Sequence, residues 1–377
     1  MELAFMTMRR TGKNSKILVF IDQMQVGGAA RVTSLMLEAL ADEFNVVIAY
    51  DNVKYTTFYH IDERIKRVSY YAKRSQIPGI SGAVKELKLA TIARTIIRDE
   101  KPDVIIAVTH LVFSQVYVGC IGLNIPIIAY DHTSFSRDLG LIQNFIRRRL
   151  YKQANKVILL TEKDRRLMSS TLINTCVVYN PLTYLPTYEF SNREKWVLCV
   201  GRLNSWHVKG LDRIMSIWSN ISHKATGWRL VIAGGGSDES LNKLMNMAEK
   251  YGVGDTITFL GQIDNLKEVY QKSAIFALPS RIEGFPMCLL EALSQGCPFV
   301  SFSLDGAIKE MATNAESGFI VEENNEEEFS LRLLELISNS GLRDKMSQMA
   351  VKSVNRFNLS NYSENIKEII NNILILK

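Results

Sequence analysis

Arg202 and Lys209 stand seven positions apart just beyond the apolar run Trp196–Val200, with Gly201 before the first and Gly210 after the second. A planar guanidinium and a compact ammonium at a strand exit can clamp a diphosphate, the first as a fork and the second as a point charge. Two solvated surface cations would leave the same trace. Further on, Arg281-Ile282-Glu283-Gly284-Phe285-Pro286-Met287-Cys288-Leu289-Leu290-Glu291-Ala292 follows a second short apolar run, Ala274–Pro279. A glycine turn between a strand and a helix aims unpaired backbone N–H groups outward, and such a helix start favours an anion such as phosphate. Pro286 falls at the first turn, where a missing N–H costs nothing. A phosphate would repel Glu283 and Glu291, so the two acids suit hydroxyl groups, as on a sugar or a ribose. A surface turn with a solvated glutamate before a capped helix is the alternative that spacing alone leaves open.

Three other stretches could take part. Gly27-Gly28 precedes a helix and would let backbone approach a diphosphate, although many α/β folds carry such a loop. Asp131-His132 lies just past the run Pro126–Tyr130; a histidine there can face a ligand or serve packing alone. Leu141 to Lys152 combines bulky apolar residues with the cluster Arg147, Arg148 and Arg149, which fits either a solvated amphipathic helix or a helix lying on anionic lipid. No Asp-x-Asp occurs anywhere, so the expectation is that no metal holds the diphosphate and that Arg202 and Lys209 balance its charge.

The elements that must position these residues alternate in type. Lys16–Ile21, Asn45–Tyr50, Asp103–Val108, Pro126–Tyr130, Lys156–Leu160 and Cys176–Tyr179 read as buried strands, with helices from about Arg31 to Ala41 and from Ala83 to Arg98. Asn180–Lys195, with two prolines and no periodicity, reads as a linker. The pattern restarts with strands at Trp196–Val200, Trp228–Ala233, Thr256–Leu260, Ala274–Leu278 and Pro298–Phe302, and a helix at Leu211–Ile221. Strand and helix at this rhythm mean parallel doubly wound sheets, so the expected fold class is α/β with two Rossmann-like domains in tandem. The expected boundaries are 1–185 for an acceptor-side domain and 186–360 for a donor-binding domain. A closing helix, Ser363–Leu376 within 361–377, would pack back on the first domain. Ligands in such sheets bind beyond the carboxyl ends of the strands, and two facing domains would make a cleft. Glu322–Glu328 reads as a solvated acidic turn, and the polar section Tyr50–Gln76 carries no readable motif.

At 377 residues, 47 % hydrophobic and 22 % charged, the chain has the composition of a two-domain globular protein. No apolar run reaches bilayer length and the N-terminal segment has no signal-peptide core, so cytoplasmic residence, peripheral on a membrane if at all, is the expectation. The five cysteines are scattered without a Cys-x-x-Cys pair and suit buried packing. Residues 1–185 carry 25 Lys and Arg against 16 Asp and Glu, whereas residues 186–377 carry 20 against 23. The basic first half therefore suits an anionic surface or a phosphorylated substrate. No nucleic-acid signature is present.

Taken together, Gly201-Arg202-Leu203 with Lys209-Gly210, Phe259-Leu260-Gly261, Glu283-Gly284-Phe285-Pro286 and Glu291 resemble the donor domain of glycosyltransferase family 4, retaining enzymes of the GT-B fold. The resemblance extends to Asp305-Gly306, Gly318–Val321, Gly27-Gly28-Ala29 and Asn180-Pro181 and covers most of the chain. It implies a nucleotide-sugar donor, expected to be a UDP-sugar, as co-substrate with no further cofactor. It also implies a glycan or lipid-linked acceptor and transfer with retention in cell-surface polysaccharide or glycolipid assembly. Arg202 and Lys209 would neutralise the diphosphate, Glu283 would contact the transferred sugar, and His132 would face that sugar from the first domain. Glu291 would hold the ribose, and backbone near Gln262 and Ile263 would hold the base. Gly27, Gly28, Gly201, Gly284, Phe285 and Met287 would complete the donor site. Two departures stand out: the interval from Arg202 to Lys209 is longer than the family's commonest spacing, and Pro286 removes one amide. A nucleotide-sugar 2-epimerase of the same fold and a non-catalytic nucleotide-sugar-binding protein are the rival readings.

Overall fold

The computed structural model describes residues 15–51, 57–70, 81–169 and 174–376; the expectations for the N-terminal segment and for much of Tyr50–Gln76 lie outside the described residues. By contacts the chain divides into two compact units, Met1–Pro181 with Leu359–Lys377, and Leu182–Asn358.

The first unit contains β1 (Lys16–Ile21), α1 (Gly28–Ala41), β2 (Asn45–Asp51), β3 (Lys66–Tyr70), α2 (Ser81–Glu100), β4 (Val104–Val108), α3 (His110–Cys120), β5 (Ile127–Tyr130), α4 (Leu141–Arg148), β6 (Lys156–Leu159), α5 (Glu162–Ser169) and β7 (Thr175–Val177). The strands pair in parallel in the order β3-β2-β1-β4-β5-β6-β7. β1, β4 and β5 are continuous apolar runs because both faces of a parallel sheet are covered, and every residue of β4 and β5 is buried. β3 escapes sequence reading because it is an edge strand whose Lys66, Arg67 and Ser69 face solvent. α3 escapes it for the opposite reason: it is apolar nearly all round and shows no amphipathic stripe.

The second unit contains β8 (Glu194–Val200), α6 (Leu211–Ile221), β9 (Arg229–Ala233), α7 (Asp238–Lys250), β10 (Ile257–Gly261), α8 (Lys267–Lys272), β11 (Ser273–Leu278), α9 (Met287–Ser294), β12 (Phe299–Phe302), α10 (Ala307–Met311), β13 (Gly318–Val321), α11 (Glu326–Ser338) and α12 (Ser340–Val354). Its parallel order is β10-β9-β8-β11-β12-β13. The last helix, α13 (Leu359–Ile375), belongs to the first unit, where it packs on α1 and β4 and Lys367 Nζ lies 3.5 Å from Glu43 Oε2.

Both sheets reverse their winding once, between β1 and β4 and between β8 and β11. Such a switch point opens a crevice at the carboxyl ends of the strands.

Within Glu322–Glu328, residues 322–325 form the exposed turn expected and the last three open α11, but the stretch also has a partner in the fold. Arg213, 4 % exposed on α6, lies over the Phe302 ring and bonds Glu323 Oε1 at 3.1 Å and Asn324 Oδ1 at 3.2 Å, with Glu326 Oε1 at 3.5 Å. A buried guanidinium needs such partners, and a separation of about a hundred residues hides them from sequence reading. Glu326, Glu327 and Glu328 open α11, where acids complement the helix dipole, and the Asn325 side chain caps that helix by accepting from Glu328 N–H at 3.0 Å.

Candidate active site

In the second unit the candidate side chains Arg202, Lys209 and Glu283 lie at the switch point between β8 and β11. β8 ends at Val200, and the chain leaves it through Gly201 and Arg202. The long interval to Lys209 is absorbed by a 3-10 turn at Leu203–Ser205 and by Lys209 N–H donating to Ser205 C=O at 2.9 Å. This turn brings the Lys209 stem back over Gly201, where an added Cβ would press on Lys209 Cβ and Cγ at 3.0 Å. Gly210 has φ +66°, and a Cβ there would run into the Pro279 carbonyl. Glycine is therefore required for the loop after β8 to close on the exit of β11.

Across the crevice, Lys209 Nζ donates to Glu283 Oε1 at 2.8 Å, and Ser280 Oγ donates to the same oxygen at 2.7 Å. The pair is largely withdrawn from solvent, with the Glu283 side chain 10 % exposed. Burial alone would pull the Lys209 ammonium toward neutrality; the Glu283 carboxylate overrides it and the net direction is upward, so Lys209 stays charged. Arg202 is exposed, and its charge opposes that of Lys209. Two residues that sequence reading did not assign brace this arrangement. Arg281 forms a fork on Asp212, with Nη1–Oδ1 and Nη2–Oδ2 both at 2.8 Å, and its backbone N–H donates to Val208 C=O at 2.9 Å. The loop bearing Lys209 and the turn bearing Glu283 are thereby tied together.

Gly284 and Phe285 lead into α9, which starts at Met287 with Pro286 as its cap residue. Phe285 is 4 % exposed and packs edge-to-face on Phe357 at 5.6 Å, which seats the turn. Glu291 lies on the second turn of α9, buried, with Oε2 accepting from the Tyr270 hydroxyl at 2.9 Å. Gln262 and Ile263 follow β10, two strands from β8, so roughly 10 Å separates them laterally from the Lys209 side of the crevice. The buried thiols are unsuited to nucleophilic work, as Cys199 shows: burial pushes its thiol up to about 12.

In the first unit, Gly27 caps α1, with Arg31 N–H donating to its carbonyl at 3.0 Å; a Cβ on Gly27 would meet nothing within 4 Å. Gly28 is the first residue of α1. β4 exits through Thr109, a β-branched residue held at φ 81°, where strain of this kind is concentrated at functional sites; neither it nor His110 was singled out by sequence reading. His132 lies beyond β5, with its ring 4.2 Å from that of Tyr130. Its Nε2 is sheltered from solvent and has no hydrogen-bond partner among the described residues. Burial lowers its pKa to about 4, against an opposing pull from Asp131, so the imidazole is neutral at pH 7.

Arg147 is not the surface cation expected. It is 1 % exposed, and its Nε donates to Asp131 Oδ2 at 2.7 Å. Three consecutive helical residues fan over about 200° and cannot share one face. α4 therefore turns Arg147 inward beside Ile146 while Arg148 and Arg149 remain exposed. Leu141, Ile142 and Phe145 are exposed at 92 %, 76 % and 60 %.

The family model for glycosyl transferases group 1 matches residues 185–353, and that for Glycosyltransferase Family 4 matches residues 26–182. Among curated proteins, the chain is 26 % identical to the amylovoran biosynthesis glycosyltransferase AmsD of Erwinia amylovora, over 89 % of this chain and 93 % of that protein. It is 24 % identical to a Campylobacter jejuni α-1,4-N-acetyl-D-galactosaminyltransferase named for a diphosphoundecaprenol-linked glycan, over 94 % and 98 % of the two chains. Among solved structures, Anabaena HepE in complex with UDP superposes with a TM-score of 0.75 at 16 % identity, covering 95 % of this chain and 100 % of that one.

Proposed function

The chain belongs to the family 4 glycosyltransferases of the GT-B type, and from that premise we propose that it moves a sugar from a UDP-sugar to a lipid-linked or growing glycan, with retention and without a metal ion. The observation that carries this reading is the Lys209–Glu283 pair, 2.8 Å apart across the switch point beside the glycine turn of α9. A diphosphate requires fixed cations, and Lys209 with Arg202 would supply them. The ammonium has three donors and Glu283 takes one, leaving capacity for phosphate oxygens. Glu283 Oε1 is held by Lys209 and Ser280, so its other oxygen can accept from a sugar hydroxyl. Glu291 would hold the ribose, and the backbone at Gln262 and Ile263 the base. The amides of Gly284, Phe285 and Met287, with Gly27, Gly28 and Gly201, would line the donor. His132, neutral at pH 7, would hydrogen-bond the transferred sugar.

In this mechanism the acceptor oxygen bonds to the anomeric carbon on the face that the diphosphate leaves. The anomeric C–O bond to the diphosphate breaks, and the acceptor proton passes to a diphosphate oxygen. Lys209 and Arg202 stabilise the charge that grows there.

The acceptor reading draws on relatives named for amylovoran biosynthesis and for a diphosphoundecaprenol-linked glycan, and on the outward face of α4. Leu141, Ile142 and Phe145 with Arg148 and Arg149 would seat the first unit on an anionic bilayer, each cation being worth roughly 1 kcal/mol near such a surface. No described helix is long and apolar enough to cross a membrane. Reversing Arg148 and Arg149 to Glu should sharply reduce salt-sensitive co-sedimentation with anionic vesicles; unchanged binding would make α4 a solvated face.

The decisive assay offers the purified protein a panel of nucleotide sugars with and without undecaprenyl-diphosphate-linked glycans. Acceptor-dependent release of UDP supports the proposal. Isomerised donor would make the protein a 2-epimerase, and binding without turnover would make it a nucleotide-sugar-binding protein.

A further inference from the structure

The Arg147 guanidinium bonds three acceptors, all on the loop that follows β5. Its Nε donates to Asp131 Oδ2 at 2.7 Å, its Nη2 to Thr133 C=O at 2.7 Å and its Nη1 to Ser134 C=O at 3.1 Å. Asp131 uses its other oxygen, Oδ1, to accept from Thr133 N–H at 3.0 Å. The residues on either side of His132 are thus gripped by one side chain and by each other. The Phe135 ring covers the guanidinium at 4.7 Å, and Asp164 Oδ1 accepts from Phe135 N–H at 2.7 Å, securing the far end of the loop.

Net stability does not account for such an arrangement. A buried ion pair seldom outperforms apolar packing of the same volume, because desolvation consumes most of the Coulomb gain. A three-acceptor fork does, however, specify a backbone geometry, and the residue at its centre is a histidine with a sheltered, unbonded ring nitrogen.

We infer that Arg147 is a positioning residue for the transfer reaction: through Asp131, Thr133 and Ser134 it sets where the His132 imidazole stands. The inference rests on the proposed reading of His132 as the group that faces the transferred sugar. It also gives the inward side of α4 a role separate from lipid docking by Arg148 and Arg149.

Arg147→Lys keeps the charge opposite Asp131, but an ammonium cannot span the three acceptors that the fork reaches. The test is a cycle of Arg147→Lys, His132→Ala and the double variant, read as initial rates with saturating UDP-sugar and acceptor, together with UDP titration. Arg147→Lys should lower kcat by up to about a hundredfold, the scale of a misplacement of about an ångström. UDP affinity should be unchanged. In the His132→Ala background the same substitution should cost almost nothing more, because it acts through the missing imidazole. Asp131→Asn, which weakens the grip from the other side, should show the same non-additivity and replaces Arg147→Lys if that variant does not fold. Parental kcat in Arg147→Lys, or losses that simply multiply in the double variant, overturn the positioning role while leaving His132 in place. Parental kcat in His132→Ala removes the assignment of His132 and the inference with it.

Discussion

The two sheets share a winding scheme and handle charge in opposite ways. At the switch between β8 and β11, ionised side chains meet in the crevice, where Lys209 and Glu283 bond at 2.8 Å with exposed Arg202 close by. In the first unit the ion pair Asp131–Arg147 is sealed behind the strand exit, both side chains at most 1 % exposed. Beyond its strand ends the first unit has a neutral imidazole at His132 and the open backbone of Gly27. A parallel sheet supplies a place to bind, and the side chains decide what is bound there. A nucleoside diphosphate needs fixed cations, whereas a sugar hydroxyl can bond a neutral imidazole as well as a carboxylate.

The sharpest way to break this contrast is to remove the charge from the second unit. Lys209→Ala should lower kcat about a hundred- to a thousandfold, the usual cost of losing one preorganised donor to a developing charge, with a much smaller rise in donor KM. Near-parental turnover would mean that the leaving group is balanced elsewhere.

Neutrality in the first unit can be read from stability. His132 titrates near 4 when folded and near 6.5 when unfolded. Below 6.5 the unfolded chain gains its proton first, so this residue costs stability progressively as pH falls from 6.5 to 4, by about 3 kcal/mol in all. Above 6.5 it contributes no pH dependence. His132→Gln should flatten that part of the stability profile relative to the parent in urea titrations; parallel profiles would show that the imidazole is not held neutral.

A smaller effect is expected where the charge does not change during the reaction. Glu291→Ala should weaken UDP binding about tenfold, the scale of a hydrogen bond to a charged group, and leave kcat with saturating donor nearly intact. UDP calorimetry and initial rates check it, and parental affinity would move the ribose away from α9. The smallest expected effect is none: excess chelator should leave the rate unchanged. A loss restored by magnesium or manganese would displace Lys209 and Arg202 as the sole charge balance.

Much of this site was legible in the chain because its signals are local. Gly201-Arg202, Lys209-Gly210 and Glu283-Gly284-Phe285-Pro286 each combine an apolar strand, a turn and a charged side chain within a dozen residues. Parallel strands likewise announce themselves as uninterrupted apolar runs, whereas β3, on the edge, alternates with polar residues and does not. Arg147–Arg149 misled as a cluster because adjacency along a helix is not adjacency in space.

The sequence by itself determined the α/β alternation, the restart of the pattern after the proline-bearing stretch, and which residue types stand at the strand exits. These follow from periodicity and turn chemistry over short windows. Tertiary structure alone decided the partners: Lys209 with Glu283, Arg281 with Asp212, Tyr270 with Glu291, Arg213 with Glu323, and Arg147 with the loop around His132. Each pairing joins residues from different elements, from 13 to 110 positions apart. No local preference encodes such distances; the crossing of strands and helices creates them.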